Sequence, residues 1–275
     1  MRKVILLFIL FSLNGINAQK KDKIKGNKDV VEVYNQLPDF NAIEIRDDLK
    51  ITFSTNNVSN NYSLKTDSNL TDVIKFEVVD SVLKIFTTHQ ISSKKKLDIS
   101  LNIDSIQKIT IYDKADLIQI GHFETQQEIE INAFDNSNLK LDIKASKIRA
   151  IFNNNADGEV YFEADSIATF LNDEIDIKGV LKARNIVLKM KKDAEAKFEG
   201  FSNKLELEMT GAPVLKASEL MNRKVEVKLS NSSNAYINCA NEIILYLDDK
   251  SKIHLYNTPN VIVKGLRGTS QILKK

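Results

Sequence analysis

Apolar residues recur at every second position along most of the chain. Ile109/Ile111, Ile129/Ile131, Leu139/Leu141/Ile143, Leu205/Leu207/Met209, Val225/Val227/Leu229 and Ile253/Leu255 alternate with Lys, Glu, Asp or Asn. This is the period of strands with one face buried and the other in water. Apolar spacing at i, i+3, i+4, i+7 never persists over a helix-length window, and β-branched residues dominate the inward positions. The pattern predicts an all-β chain.

The strands themselves repeat. Their first inward residues are Ile109, Ile129, Ile148, Ile167, Ile186, Leu205, Val225, Ile243 and Val261, a spacing of 18 to 20 residues throughout. A fixed period of this length marks a solenoid. A 19-residue unit is too short for a helix pair, but it accommodates one coil of a parallel β-helix, each strand bonded to its copies above and below. The turns are rich in Asp, Asn, Ser and Gly, as in Asn153 to Gly158 and Asn231 to Asn234. In this register Lys189, Glu208 and Lys228 stack on successive coils, so opposite charges face each other about 4.8 Å apart. One coil cannot offset the entropy of ordering itself, so stability resides in the stack.

Residues 39–96 have a less regular β texture. Phe40 to Phe53 and Phe76 to Phe86 read as strands, the second folding back at Asp80-Ser81, and Lys94-Lys95-Lys96 marks a solvated turn. This region is expected to form irregular first coils covering the open end of the stack, or a small separate β domain. Repeats then run over 97–275, and 19–38 is a polar linker. At the start, Arg2 and Lys3 precede the apolar run Val4 to Leu13, and Ile16-Asn17-Ala18 ends it. That order predicts a signal peptide at 1–18 and export to the periplasm, the cell surface or the exterior. No later segment is apolar for long enough to span a membrane as a helix, so no integral span is expected after cleavage.

Charge and composition narrow the function. Over 275 residues, 39 Lys+Arg balance 37 Asp+Glu with no basic arm, which argues against a nucleic-acid partner. The one cysteine, Cys239, excludes an internal disulfide and a four-cysteine zinc site, and at an inward strand position it reads as a small core residue.

The succession Phe40-x-x-Ile43-x-Ile45, then Phe76-x-Val78-x-Asp80-Ser81-x-Leu83-x-Ile85, then Leu97-x-Ile99 and Ile109-x-Ile111 before repeated short strands, resembles the putative auto-transporter adhesin head domain, or GIN domain. The resemblance covers residues 39 to 270 and implies an exported bacterial β-helix with a role in adhesion. It defines no functional residues. This chain departs from the family in having Tyr112-Asp113-Lys114 and Asp248-Asp249-Lys250 at turns where Gly and Ser are more usual.

Parallel β-helices include polysaccharide lyases and hydrolases, which need convergent carboxylates. The strongest clusters, Asp173/Glu174/Asp176 and Asp248/Asp249, lie in turns, with no carboxylate one coil away in line with both. His89, His122 and His254 share no metal-ligand spacing. No catalytic residue, metal or cofactor is expected, and a carbohydrate-active enzyme is the alternative reading. The candidate binding surface consists of outward aromatics, Tyr236 stacked on His254 with Tyr256 beside them, and a second stripe, Ile151 and Phe170, which a loop or the N-terminal region is expected to cover. The expected function is non-enzymatic binding of an envelope glycan or protein by a lateral sheet surface. A solenoid is expected to lack a deep cleft.

Overall fold

Alternation produces strands throughout the residues that the computed structural model describes, 21–55 and 59–275; the expected leader at 1–18 lies outside them. Nine strands precede the regular repeat: β1 (Lys23–Lys25), β2 (Val30–Gln36), β3 (Ala42–Ile45), β4 (Lys50–Thr55), β5 (Asn61–Asp67), β6 (Ile74–Val79), β7 (Val82–Thr87), β8 (Gln90–Ser93) and β9 (Leu97–Ile103). Next come β10 (Lys108–Ile111), β11 (Asp116–Gln119), β12 (Phe123–Glu124) and β13 (Glu128–Ala133). The long strands are β14 (Asn138–Phe152), β15 (Asp157–Asn172), β16 (Asp176–Lys192), β17 (Glu195–Gly211), β18 (Val214–Leu229) and β19 (Asn234–Leu247), followed by β20 (Lys252–Tyr256), β21 (Asn260–Leu266) and β22 (Gln271–Lys274). They form a parallel β-solenoid of about nine turns with coils of about 19 residues.

Each long strand turns a corner midway and so contributes to two faces. In β14 the first face is 138–145 and the second 147–152, and every residue pairs in parallel with its counterpart in β15 except at the corner. Leu139, Leu141 and Ile143 from one face meet Ile148, Ala150 and Phe152 from the other in a continuous core. The corner needs small side chains, and Ala145, Ala164, Ala183, Ser202, Asn222 and Cys239 stack there one per coil. The polar members are satisfied internally: Ser202 Oγ donates to Asn222 Oδ1 at 2.6 Å, and Asn222 Nδ2 donates to the Leu220 carbonyl at 2.7 Å. Cys239 is fully buried, and its thiol donates to the Glu242 carbonyl at 3.2 Å. Burial raises its pKa, which suits a core residue.

The opposite turn explains why the chain tolerates Asp and Asn where glycine would be the usual choice. Asp47, Asp113, Asp135, Asn154, Asp173, Lys192, Asn231 and Asp249 occupy the same turn position with φ between 56° and 78°. Asp and Asn adopt this left-handed conformation more readily than other side chains. Their carboxylates and amides also bind the turn of the neighbouring coil: Asp113 Oδ2 accepts from Asp47 N at 2.9 Å, Asp135 Oδ2 from Asp113 N at 3.2 Å and Asp173 Oδ2 from Asn154 N at 3.4 Å.

The expected ladder of Lys189, Glu208 and Lys228 is in register, with Lys189 Nζ 2.8 Å from Glu208. The anchor series is offset at one place. Ile109 faces Ile131 rather than Ile129, because the chain makes an outward excursion between β11 and β13 that lengthens this coil. A slip of two residues keeps the same side chains inward, so the alternation pattern does not reveal it.

The N-terminal region departs further from its expected form. The stretch read as a polar linker contains two strands, since β1 pairs in parallel with β8 and β2 pairs antiparallel with β5. Val31 and Val33 on β2 supply the alternation that the surrounding Lys and Asn residues mask. Coil order also differs from chain order. β3 lies between β7 and β10, and β4 between β9 and β11, so the first coil is the second layer of the stack. Antiparallel β6 on β7 and β5 on β9 then close that end. Buried Asp67 ties the closure together, accepting from the backbone N–H groups of Lys28 at 3.0 Å, Lys95 at 3.2 Å and Lys96 at 3.3 Å. Burial acts to raise its pKa, but these donors hold it below the ordinary carboxylate value.

Candidate functional site

On the first face, the outward side chains of consecutive coils surround a groove of about 650 Å³. Its floor follows from a missing side chain. Gly179 occupies an inward position in register with Val160 and Phe198. A Cβ at 179 would lie 1.9 Å from the Val160 carbonyl oxygen, so only glycine allows β16 this close an approach. The outer surface dips over Val160, Gly179 and Val180.

One wall is the excursion after β11. Gly121 there adopts φ +81°, and Ile120 is 58% exposed. Gln119 fastens this loop to β14, its Nε2 donating to the Asp142 carbonyl at 2.6 Å and its Oε1 accepting from Asp142 N at 3.1 Å. His122 Nδ1 lies 2.7 Å from Asp142 Oδ1 at the rim. Lys140, Glu159 and Lys178 form an alternating column along the groove, Glu159 lying 3.7 Å from each lysine.

The other wall is Tyr161, whose hydroxyl accepts from Lys182 Nζ at 2.6 Å. This contact raises the Lys182 pKa. Beyond it lies a second depression of about 400 Å³ edged by Glu124, Lys144, Lys182 and Phe201. There the hydrogen bond between Glu124 and Lys144 lowers the carboxylate pKa and raises that of the ammonium. Phe201 and Met221 pair across β17 and β18 and are 51% and 60% exposed. The first face therefore combines polar and charged groups, a tyrosine and an exposed apolar pair. The lateral surface thus carries two open depressions, one over Gly179, where an inward side chain is absent, and both beside the excursion that lengthens the coil after β11.

The residues singled out from the sequence do not form one site. Tyr236 and His254 stack as expected, with ring centroids 4.2 Å apart and planes at 3°, and Tyr256 is on the next outward row of the same face. His254 is only 9% exposed, because Leu273 follows it in register and Tyr236 precedes it. Ile151 and Phe170 are in register on the second face and belong to a different surface. The N-terminal strands are at the end of the stack and do not cover this stripe, while the Arg149 guanidinium lies 4.6 Å from the Phe170 ring centroid. Sequence reasoning missed Phe201 and Met221, although their common register is a sequence-level signal. It also missed the stacked pair Tyr112 and Phe134, with Arg46 over Tyr112 at 4.2 Å.

The acidic clusters have structural partners. Asp173 pairs with Lys192 and accepts from Asn154, and the Lys192 contact lowers its pKa. Asp249 accepts from the backbone of Asn231 at 3.1 Å. Asp176 does have carboxylates in line with it, Asp157 and Glu195 on the neighbouring coils. Desolvation and then the Asp176 charge raise the Asp157 pKa, partly opposed by a backbone hydrogen bond. This row lies outside the lining of the groove.

Residues 39–166 and 156–259 match the family described as putative auto-transporter adhesin, head GIN domain. No curated protein matches. Among solved structures, the chain is similar to a putative adhesin from Parabacteroides merdae, at 16% identity and TM-score 0.67, covering 92% of this chain and 99% of that one. It is also similar to a putative adhesin and a putative lipid binding protein from Parabacteroides distasonis, at 16% and 17% identity and TM-scores 0.68 and 0.65, each covering 92% of this chain and 100% of the other. At these identities the likeness establishes the fold.

Proposed function

The chain belongs to that adhesin-head family, and from this premise we propose that it is an exported, non-enzymatic binding protein that engages a cell-envelope glycan or protein through its first face. The observation that carries this reading is the pair of depressions between the Gln119–His122 loop and Phe201, with exposed Met221 alongside. Such a surface presents hydrogen-bonding groups of both charge signs, the Tyr161 ring and an apolar anchor, a combination that binding sites use for orientation and affinity. The signal-peptide order at 1–18 supports export, and the turn contacts of Asp173 and Asp249 support structural roles for the carboxylates that an enzyme would need.

The test is binding of purified protein to envelopes isolated from the bacterium that makes it. Periodate treatment of the envelopes should abolish binding if the partner is a glycan, and proteinase K treatment should abolish it if the partner is a protein. Binding equal to that of an unrelated β-solenoid of similar charge would refute the proposal. Release of reducing or unsaturated sugars from those envelopes, lost on Asp157→Asn or Asp176→Asn, would make the chain an enzyme.

A further inference from the structure

We propose that the end of the stack formed by β21 and β22 is a docking edge for an extended acidic segment of another protein, which adds to the solenoid as a further strand. This goes beyond the lateral binding face, since it concerns a different surface and a different mode of recognition.

The two ends of the solenoid are built differently. Antiparallel β5 and β6 close the end near β7 and β9. At the other end, β21 pairs with β19 and β22 with β20, and among the described residues no strand takes their outer edges. Val261 and Val263 are in register with fully buried Ile243 and Leu245, yet they are 41% and 47% exposed, and Leu266, in register with buried Leu247, is 52% exposed. Positions that earlier coils bury are uncovered here beside unpaired backbone groups, the arrangement that strand addition requires.

Charge identifies the occupant. The last coil, residues 257–275, contains Lys264, Arg267, Lys274 and Lys275 and no Asp or Glu. Within the body of the stack, several outward lysines find carboxylates one coil away, as Lys178 does with Glu159, Lys189 with Glu208 and Lys224 with Glu242. None of these four cations has an ion pair among the described residues. The next layer is where their carboxylates belong. A second copy docked through the same edge would oppose four cations with four, and a lipid surface would leave the edge N–H and C=O groups unpaired. An acidic peptide strand with alternating apolar residues satisfies the backbone, the exposed valines and the charges together.

The probe is a synthetic peptide corresponding to residues 124–134 of this chain, which carries Glu124, Glu128 and Glu130 around Ile129 and Ile131 and has no basic residue. Its control replaces the three glutamates with lysine. Binding to the full chain is followed by calorimetry at low salt and by hydrogen exchange. The acidic peptide should bind at least about tenfold tighter than its lysine counterpart and should protect the amides of 260–266. A Lys264→Glu/Arg267→Glu protein should reverse the preference. If that variant melts below the parent, Lys274→Glu/Lys275→Glu on β22 provides the same comparison. Equal binding of both peptides, or a preference that survives charge reversal, overturns the proposal. So does a concentration-dependent dimer that protects 260–266, which would make a second copy the occupant, or recruitment to phosphatidylglycerol vesicles without peptide binding, which would make it a membrane.

Discussion

The Asp249 carboxylate holds the turn of the preceding coil by accepting from both the backbone N–H of Asn231 at 3.1 Å and its side-chain amide at 3.2 Å. Because Asp249 is itself in the left-handed region at φ 59°, one residue serves the turn it forms and the turn it caps. Asp249→Ala removes the one oxygen that accepts both hydrogen bonds and places a less tolerant residue at positive φ, so a loss of about 1–3 kcal/mol is expected in denaturant unfolding. Asp249→Asn retains an acceptor and should cost less than half of that.

His254 makes the end of the stack sensitive to pH. Desolvation, then the charges of Lys275 and Lys252, lower its pKa from the ordinary 6.5, and its Nδ1 has no hydrogen-bond partner. The folded state therefore binds fewer protons than the unfolded one at this site. Its contribution is fully present above the unfolded value and is lost as pH falls through 6.5 toward the folded value. The melting temperature should drop between about pH 7.5 and pH 5, and His254→Phe should flatten that part of the profile. An identical pH profile in the variant would remove His254 from the account.

Asp67 should control the closed end. Asp67→Ala leaves the N–H groups of Lys28, Lys95 and Lys96 without their acceptor. Hydrogen exchange should then accelerate over 21–36 and 90–96 while β14 to β18 keep their protection. Uniform acceleration along the chain would mean that this end and the body of the stack unfold as one unit.

Gly179→Ala probes the floor of the groove. The new Cβ has backbone atoms of Val160 within 3 Å, so β16 must shift outward, at a cost of about 1–3 kcal/mol by analogy with overpacked cores. Thermal unfolding measures the cost. Ligand binding on the first face should weaken in the same variant, whereas Gly265→Ala, with only the Tyr246 ring edge at 3.8 Å, should leave both unchanged.

Strand positions and inward faces were legible because the alternation of Ile, Leu and Val survives at nearly every coil, and even the irregular register of Ile109 with Ile131 preserves it. The turn column was legible in principle from the recurrence of Asp113, Asp135, Asn154 and Asp173. The placement of β3 between β7 and β10 was not, since a period of two states which side chains point inward and nothing about which coil lies next. The groove was hidden for a related reason. It depends on the absence of a side chain at Gly179 and on the long coil around Gly121, and each reads locally as an ordinary turn or strand residue. The burial of His254 depends on Leu273 in the following layer, so its outward parity alone suggested an exposed ring.

Whether recognition resides on the first face is decided by comparing the two faces on one scaffold. Tyr161→Ser/Phe201→Ser/Met221→Ser alters the first face, and Ile151→Ser/Phe170→Ser alters the second. Both sets are outside the core, so circular dichroism should confirm that each variant retains the strand signal of the parent. Binding of the three proteins to isolated native envelopes is then measured over a concentration series. The first-face variant should lose at least about tenfold in apparent affinity while the second-face variant stays within about threefold of the parent. Undiminished binding by the first-face variant, with loss in the second-face variant, would contradict the account and move the site to the stripe beneath Arg149.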